Sequence, residues 1–264
     1  MEVFLLISSH ALLDPMYRKK ILIAIPVFNE SAVFHIVQQV KYFDLDVLVI
    51  DDGSTGRLQR ELAKVENIRM IVHSRNLGYG KAIINAFQYA IRNHYDYLLT
   101  IDGDGQHDPM EIRGFLQEIP FYSFDILSGS RYFFSREADK DAPRERYIIN
   151  RKITAILNRI TGFHLTDSFC GFKAYKVEKI KLLHLTEYGY GMPLQLWMQA
   201  WKAGLLIREI PVKLIYKDPT KRFHGILENP DTRMQYYKTI IRKELAGTAY
   251  HNARESRTQK TVRH

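Results

Sequence analysis

Between residues 19 and 102 the chain alternates between two hydrophobic periods, and no other feature constrains its fold as much. KKILIAIPV (19–27), LDVLVID (45–51), IRMIVHS (68–74) and YDYLLTID (95–102) are apolar runs of strand length. Between them lie NESAVFHIVQQVKYF (29–43), GRLQRELAKV (56–65) and GKAIINAFQYAIRN (80–93). These carry helical spacing, as at Val33, Ile36, Val37 and Val40. Strands and helices in alternation, joined by short links, predict a mainly parallel, Rossmann-like α/β sheet with helices on both faces. Ligands of such sheets bind at the carboxyl ends of the strands.

Each of these strands leads into a polar cluster: NE (29–30), DDGS (51–54), NLGYG (76–80) and DGDGQHD (102–108). A solvated turn rich in Asp and Asn explains any one of them. Four at one sheet edge predict a site. Asp102 and Asp104, one glycine apart, can aim two carboxylates at one point, and Gly103 and Gly105 let the backbone approach a ligand closely. Hard cations such as Mg2+ take oxygen ligands, with few protein carboxylates and the remainder from substrate phosphates. Asp102, Asp104 and Gln106 are therefore the candidate metal ligands. Asp51 and Asp52 either accept from a ribose or base edge or end the strand in an Asp-Gly turn. Gly78 and Gly80 open a helix whose amides, with Lys81, suit an anion; a helix start that needs glycine is the other reading. His107 is expected to support its loop rather than to react.

The chain's 264 residues, 46% of them hydrophobic, suffice for one α/β domain with appendages and exclude global disorder. A net charge of +9 suits a nucleic acid, an anionic membrane or a phosphorylated substrate. No element carries the interleaved aromatic and basic stripe of a nucleic-acid binder, so that partner is not expected. Cys170 is the only cysteine, which excludes an intramolecular disulfide and a thiolate metal cluster and favours a reducing, cytoplasmic setting. The opening MEVFLLISSHALL lacks a basic flank and is too short in apolar run for a signal peptide or a span. Membrane contact is expected to be peripheral, on the cytoplasmic face.

The second half is less regular. FDILSGSRY (124–132) is a strand and a basic loop, FFSREADKDAPRER (133–146) is charged, and YIINRKITAILNRITG (147–162) is an amphipathic helix. DSFCGFKAYK (167–176) is loop then strand, MPLQLWMQAWKAG (192–204) a helix, and LLIREIPVKLIY (205–216) a strand. Arg131 offers fixed donors for a pyrophosphate. Lys217, Lys221 and Arg222 of YKDPTKRFHG (216–225) are further basic groups. The domain is expected over 18–228, followed by an amphipathic helix and basic tail over 229–264. On that helix Met234, Tyr237, Ile241 and Leu245 share a face, flanked by Arg233, Lys238, Arg242 and Lys243. Such a helix either lies in an anionic membrane interface or packs on its own domain.

IPVFNE, DDGS, NLGYGKA, DGDGQHDP, SGSRY and DSFCGFKAYK occur in the order found in family 2 glycosyltransferases of the GT-A fold. Over roughly residues 20–218 the chain most resembles the polyprenyl-phosphate glycosyltransferases of the dolichyl-phosphate mannose synthase type. The resemblance implies an inverting transfer of a hexose such as mannose or glucose. The donor would be a nucleotide sugar, the acceptor a polyprenyl phosphate, and the cofactor Mg2+ or Mn2+. It implies that Pro26, Phe28, Glu30 and Asp52 hold the nucleoside. Asp102, Gly103, Asp104 and Gln106 would meet the metal and diphosphate. Arg131 would meet the sugar-phosphate region, and Lys217 and Arg222 would belong to the basic loop. Asp104 and Arg131 are the residues expected to carry the chemistry.

One departure is informative. Family members that glycosylate hydroxyls often carry an acidic pair near the start of a late helix, where this chain reads GYGMPLQLW (189–197). A hydroxyl acceptor needs a base, whereas a phosphate is already ionised at neutral pH. A saccharide hydroxyl acceptor is the alternative, and a sugar nucleotidyltransferase a further one. The latter wants a glycine-rich basic loop after the first strand, which PVFNES (26–31) is not. A binding module without turnover would have no need of the metal carboxylates.

Overall fold

The computed structural model describes residues 19–134, 144–215 and 225–261. The expected strands form as Ile21–Val27 (β1), Asp46–Asp51 (β2), Arg69–Val72 (β3) and Tyr97–Thr100 (β4). Helices Val33–Val40 (α1), Gly56–Leu62 (α2) and Tyr79–Arg92 (α3) separate them. The later strands Ile126–Ser130 (β5), Lys173–Lys176 (β6) and Ile207–Pro211 (β7) complete one sheet of order β3-β2-β1-β4-β6-β5-β7. All pairs are parallel except those of β6, which runs antiparallel between β4 and β5. Two reversals restore the direction, so β5 runs with β4. The carboxyl ends of β1, β2, β4 and β5 therefore share one edge.

Successive residues of β1 point to opposite faces, and neither face meets water. Leu22 and Ala24 join one core, Ile23 and Ile25 the other, and all four are 0% exposed. This explains the continuous apolar runs, since alternation needs one wet face. The Ile23 side is covered by α1, α2 and Ile112–Glu118 (α4). The Leu22 side is covered by α3, Arg144–Thr161 (α5), Val177–Ile180 (α6) and Met192–Lys202 (α7).

The last helix, Pro230–Thr261 (α8), takes the second of the two readings of its apolar face. That face lies on the protein. Tyr237 and Ile241 are buried with Ile240, and Met234 and Leu245 pack against the same core. The reason is α7, whose residues Met192 to Met198 are all buried. A helix buried along so much of its length needs cover on its outer face, and α8 supplies it. The contact is sealed by Lys202, whose Nζ donates to the Glu244 backbone carbonyl at 2.6 Å and to its carboxylate at 2.9 Å. Among the described residues, no helix is long and apolar enough to cross a membrane.

Candidate active site at the carboxyl edge of the sheet

A cleft of about 530 Å3 opens where β1, β2, β4 and β5 end. Pro26, Phe28, Glu30, Asp52, Asp102, Gly103, Asp104, Gln106 and Arg131 all line it. Lys81 does not: its ammonium sits over the Tyr188 ring at 5.1 Å. Lys217 and Arg222 lie outside the described residues.

Backbone and polar contacts stitch the loops together. Asn29, in the left-handed region at φ 54°, donates its N–H to Ser54 Oγ at 2.8 Å. Its Oδ1 accepts from Thr55 N at 2.9 Å. The Gly103 N–H donates to the Pro26 carbonyl at 3.2 Å, and a Cβ there would come 2.8 Å from that oxygen. Glycine is thus required where the β4 loop crosses β1.

Asp52 lines the cleft and also has a task within the protein. Its carboxylate accepts from Leu77 N and Gly78 N, each at 2.8 Å, and lies 2.6 Å from His73 Nδ1. Asn85 Nδ2 sits 2.7 Å from His73 Nε2. Buried and hydrogen-bonded through both oxygens, Asp52 ties the loop entering α3 to the end of β2. Gly78 has φ 103° there, and a Cβ would lie 2.3 Å from the Tyr188 carbonyl.

The Asp102 and Asp104 pair has the donor chemistry of a candidate cation site. Asp102 Oδ1 is buried and lacks a hydrogen-bond partner among the described residues. Burial first, then the charge of Asp104, raises the Asp102 carboxyl to about 6, against a hydrogen bond from Tyr79 that favours ionisation. Two crowded carboxylates, one with an orphaned oxygen, are what a bound cation would relieve. Among the described residues no group of three or more His, Cys, Asp or Glu side chains could hold a metal by itself. That donor set fits a hard cation completed by substrate phosphates. Gln106 enters through its backbone, donating N–H to Asp104 Oδ1 at 3.0 Å. His107 is buried beside Cys170 and Phe172, and burial first, with nearby Arg131, pushes it down to about 3. It is a neutral support for the loop.

Arg131 is more constrained than its sequence setting suggested. It grips buried Asp167 through Nε at 2.6 Å and Nη2 at 3.0 Å. Despite burial, the guanidinium and the amide of Asn150, 2.7 Å away, hold the Asp167 carboxyl well below the usual range. Asp167 is therefore unsuited to act as a base.

Several cleft residues carried no local signal. Tyr79 and Tyr190 stack at 6.1 Å with 12° between planes. Arg146 and Asn150 come from α5, and Arg233 and Tyr237 from α8. Arg233 flanks the apolar face of α8 and turns inward. It is 3% exposed, pairs with Glu145 and donates to the Leu227 carbonyl at 3.0 Å. The helix also braces the loop that carries Tyr190. Tyr236 Oη donates to Glu187 at 2.5 Å and accepts from Gly191 N at 3.3 Å. Glu244 accepts from Gln195, whose Oε1 accepts from Thr186 N and Glu187 N.

The chain matches the model described as Glycosyl transferase family 2 over residues 22–183. It is 29% identical over 210 residues to the polyprenol monophosphomannose synthase of Mycolicibacterium smegmatis, covering 74% of this chain and 77% of that protein. It is 29% identical over 223 residues to the UDP-N-acetylglucosamine–dolichyl-phosphate N-acetylglucosaminyltransferase of Methanococcus voltae, covering 77% and 88%. Among solved structures it is similar to the glucosyl-3-phosphoglycerate synthase of Mycobacterium tuberculosis, crystallised with Mn2+, uridine diphosphate and glucosyl-3-phosphoglycerate. The TM-score is 0.64 at 17% identity, covering 86% of this chain and 80% of that one, a likeness of fold. The match runs from β1 through α6, across the cleft just described, and the chain belongs to glycosyltransferase family 2, with its GT-A fold.

Proposed function

We propose that this protein transfers a hexose, such as mannose or glucose, from a nucleotide sugar to a polyprenyl phosphate, with inversion. The observation that carries this reading is the division of charge across the cleft. Its acidic residues, Glu30, Asp52, Asp102 and Asp104, all stand at the ends of β1, β2 and β4. The opposite wall, from α5, α7 and α8, contributes Arg146, Asn150, Pro193 and Arg233 and, among the described residues, no carboxylate. The first turn of α7 is likewise free of acidic residues. A wall of guanidinium and amide groups suits an acceptor that arrives ionised, and it offers a hydroxyl acceptor no base.

In the reaction a phosphate oxygen of the acceptor attacks C1, the C1–O bond to the diphosphate breaks, and the nucleoside diphosphate leaves. Mg2+ or Mn2+, held by Asp102 and Asp104, would neutralise charge on the departing diphosphate. Tyr79 orients Asp102, and Asp52 fixes the loop entering α3. Pro26 and the partly exposed Phe28 offer apolar surface to the base. Arg146 lines the cleft beside Arg131 and Arg233, which their carboxylate partners hold in place, and their N–H groups would orient the acceptor phosphate against the sugar. Both curated relatives described above carry names that specify a polyprenol or dolichyl phosphate product or acceptor, which supports the same class here. A lipid acceptor places the protein at a membrane surface.

The test uses GDP-, UDP- and dTDP-sugars with Mn2+ to find the donor, then compares a polyprenyl phosphate with the matching polyprenol. Transfer to the phosphate alone is expected. Equal rates on the two acceptors would overturn the reading in favour of a hydroxyl acceptor.

A further inference from the structure

With the apolar face of α8 covered, the described surface holds another amphipathic face of the right chemistry. Arg144, Ile148, Arg151, Lys152, Ala155 and Arg159 are all exposed on α5. At 100° per residue they fall within one stripe, opposite the buried Ile149, Ile153 and Leu157. The stripe carries four cations. The sole acidic residue of α5, Glu145, is paired with Arg233. Beside the start of this helix stand Phe133 and Phe134, 41% and 68% exposed, their rings edge to face at 5.1 Å. The Tyr132–Tyr147 ring contact, 5.2 Å between centroids, ties their segment to α5.

Position adds to chemistry. Arg131 and Tyr132 line the cleft, and the next two residues are the exposed phenylalanines. Arg146, Ile149 and Asn150 line the cleft from the same helix whose other side is basic. Exposed aromatic residues beside a cationic helix face match the interface of an anionic bilayer, where rings enter the headgroup level and cations meet lipid phosphates. We propose that Phe133, Phe134 and the Arg144–Arg159 stripe of α5 seat this protein on an anionic membrane, holding the cleft on the other side of the same helix close to the bilayer. Its use in bringing a lipid acceptor to the cleft rests on the function proposed above, whereas the docking surface does not.

The test is sedimentation of the full chain with phosphatidylglycerol/phosphatidylcholine vesicles that contain no polyprenyl phosphate. Each basic residue near an anionic leaflet raises partitioning about fivefold. Arg151→Glu with Lys152→Glu should therefore lower partitioning about 25-fold or more. Phe133→Ser with Phe134→Ser should lower it too, leaving a residue of binding that high salt removes entirely. The charge-matched pair Arg242→Glu and Lys243→Glu, exposed on α8, should leave it unchanged. All six positions are solvent-facing, and thermal unfolding checks that each variant folds. Indifference of the wild type to anionic lipid would overturn the proposal. So would loss of binding in the α8 pair with retention in the α5 pair. If vesicle binding follows α5 while no sugar reaches a short, soluble polyprenyl phosphate, the acceptor reading fails and the docking surface stands.

Discussion

Gly171 lies outside the acidic motif, yet the structure makes it decisive for Asp102. A Cβ on Gly171 would lie 2.1 Å from Asp102 Oδ2 and 2.4 Å from Oδ1. Carbon and oxygen rest at roughly 3.3 Å or more, so Gly171→Ala drives the carboxylate back by about 1 Å. The backbone is not the obstacle, because Gly171 is absent from the left-handed region and alanine suits its φ. Its carbonyl also keeps the 2.7 Å hydrogen bond from Thr100 Oγ1. The fold should survive while the cation site is displaced. A displacement of that size costs about 100-fold in rate, roughly 2.7 kcal/mol of transition-state stabilisation. The assay is kcat/KM on the best donor, together with Mn2+ titration of nucleoside diphosphate binding and a thermal melt. Asp104→Asn, which removes a charge from the same site, serves as the reference for a lost cation. Gly171→Ala with wild-type metal affinity and undiminished kcat/KM would show that Asp102 does not need its present position, and the assignment of the pair would fall.

Asp102→Asn should abolish Mn2+-dependent nucleotide binding yet stabilise the metal-free fold at pH 7.5. The wild-type carboxyl is held at about 6 in the fold, above the ~3.9 of an unfolded chain, so its contribution is intact below about pH 4 and is lost as pH rises through 6. The loss is on the order of 3 kcal/mol at most, read as a decline in Tm of the metal-free wild type that the variant lacks. Parallel Tm–pH curves for the two proteins would contradict it. Tyr236→Phe keeps its ring but loses the hydroxyl contacts to Glu187 and Gly191 that brace the Tyr190 loop. Amide exchange at residues 187–191 should rise, and the donor KM should increase about fivefold to tenfold with kcat little changed. A lower Tm with unaltered exchange and KM would reduce the residue to a packing role.

The alternation of residues 19–102, and with it a mainly parallel sheet and an acidic edge, was legible in the sequence because strand and helix periods are local. Each is written within one element, and a parallel sheet then delivers Glu30, Asp52, Asp102 and Asp104 to one side without further information. The tertiary structure alone decided what depends on residues far apart in the chain. An amphipathic stripe reads the same whether its cover is lipid or protein, so only packing against the buried α7 placed α8 on the domain and Arg233 in the cleft. Arg131 looked available beside its strand until Asp167 arrived from the next loop to take it in two hydrogen bonds. Lys81 entered as an anion ligand and found the Tyr188 ring. Charge and residue type are written along the chain, but which partner neutralises a charge is set by packing between distant segments.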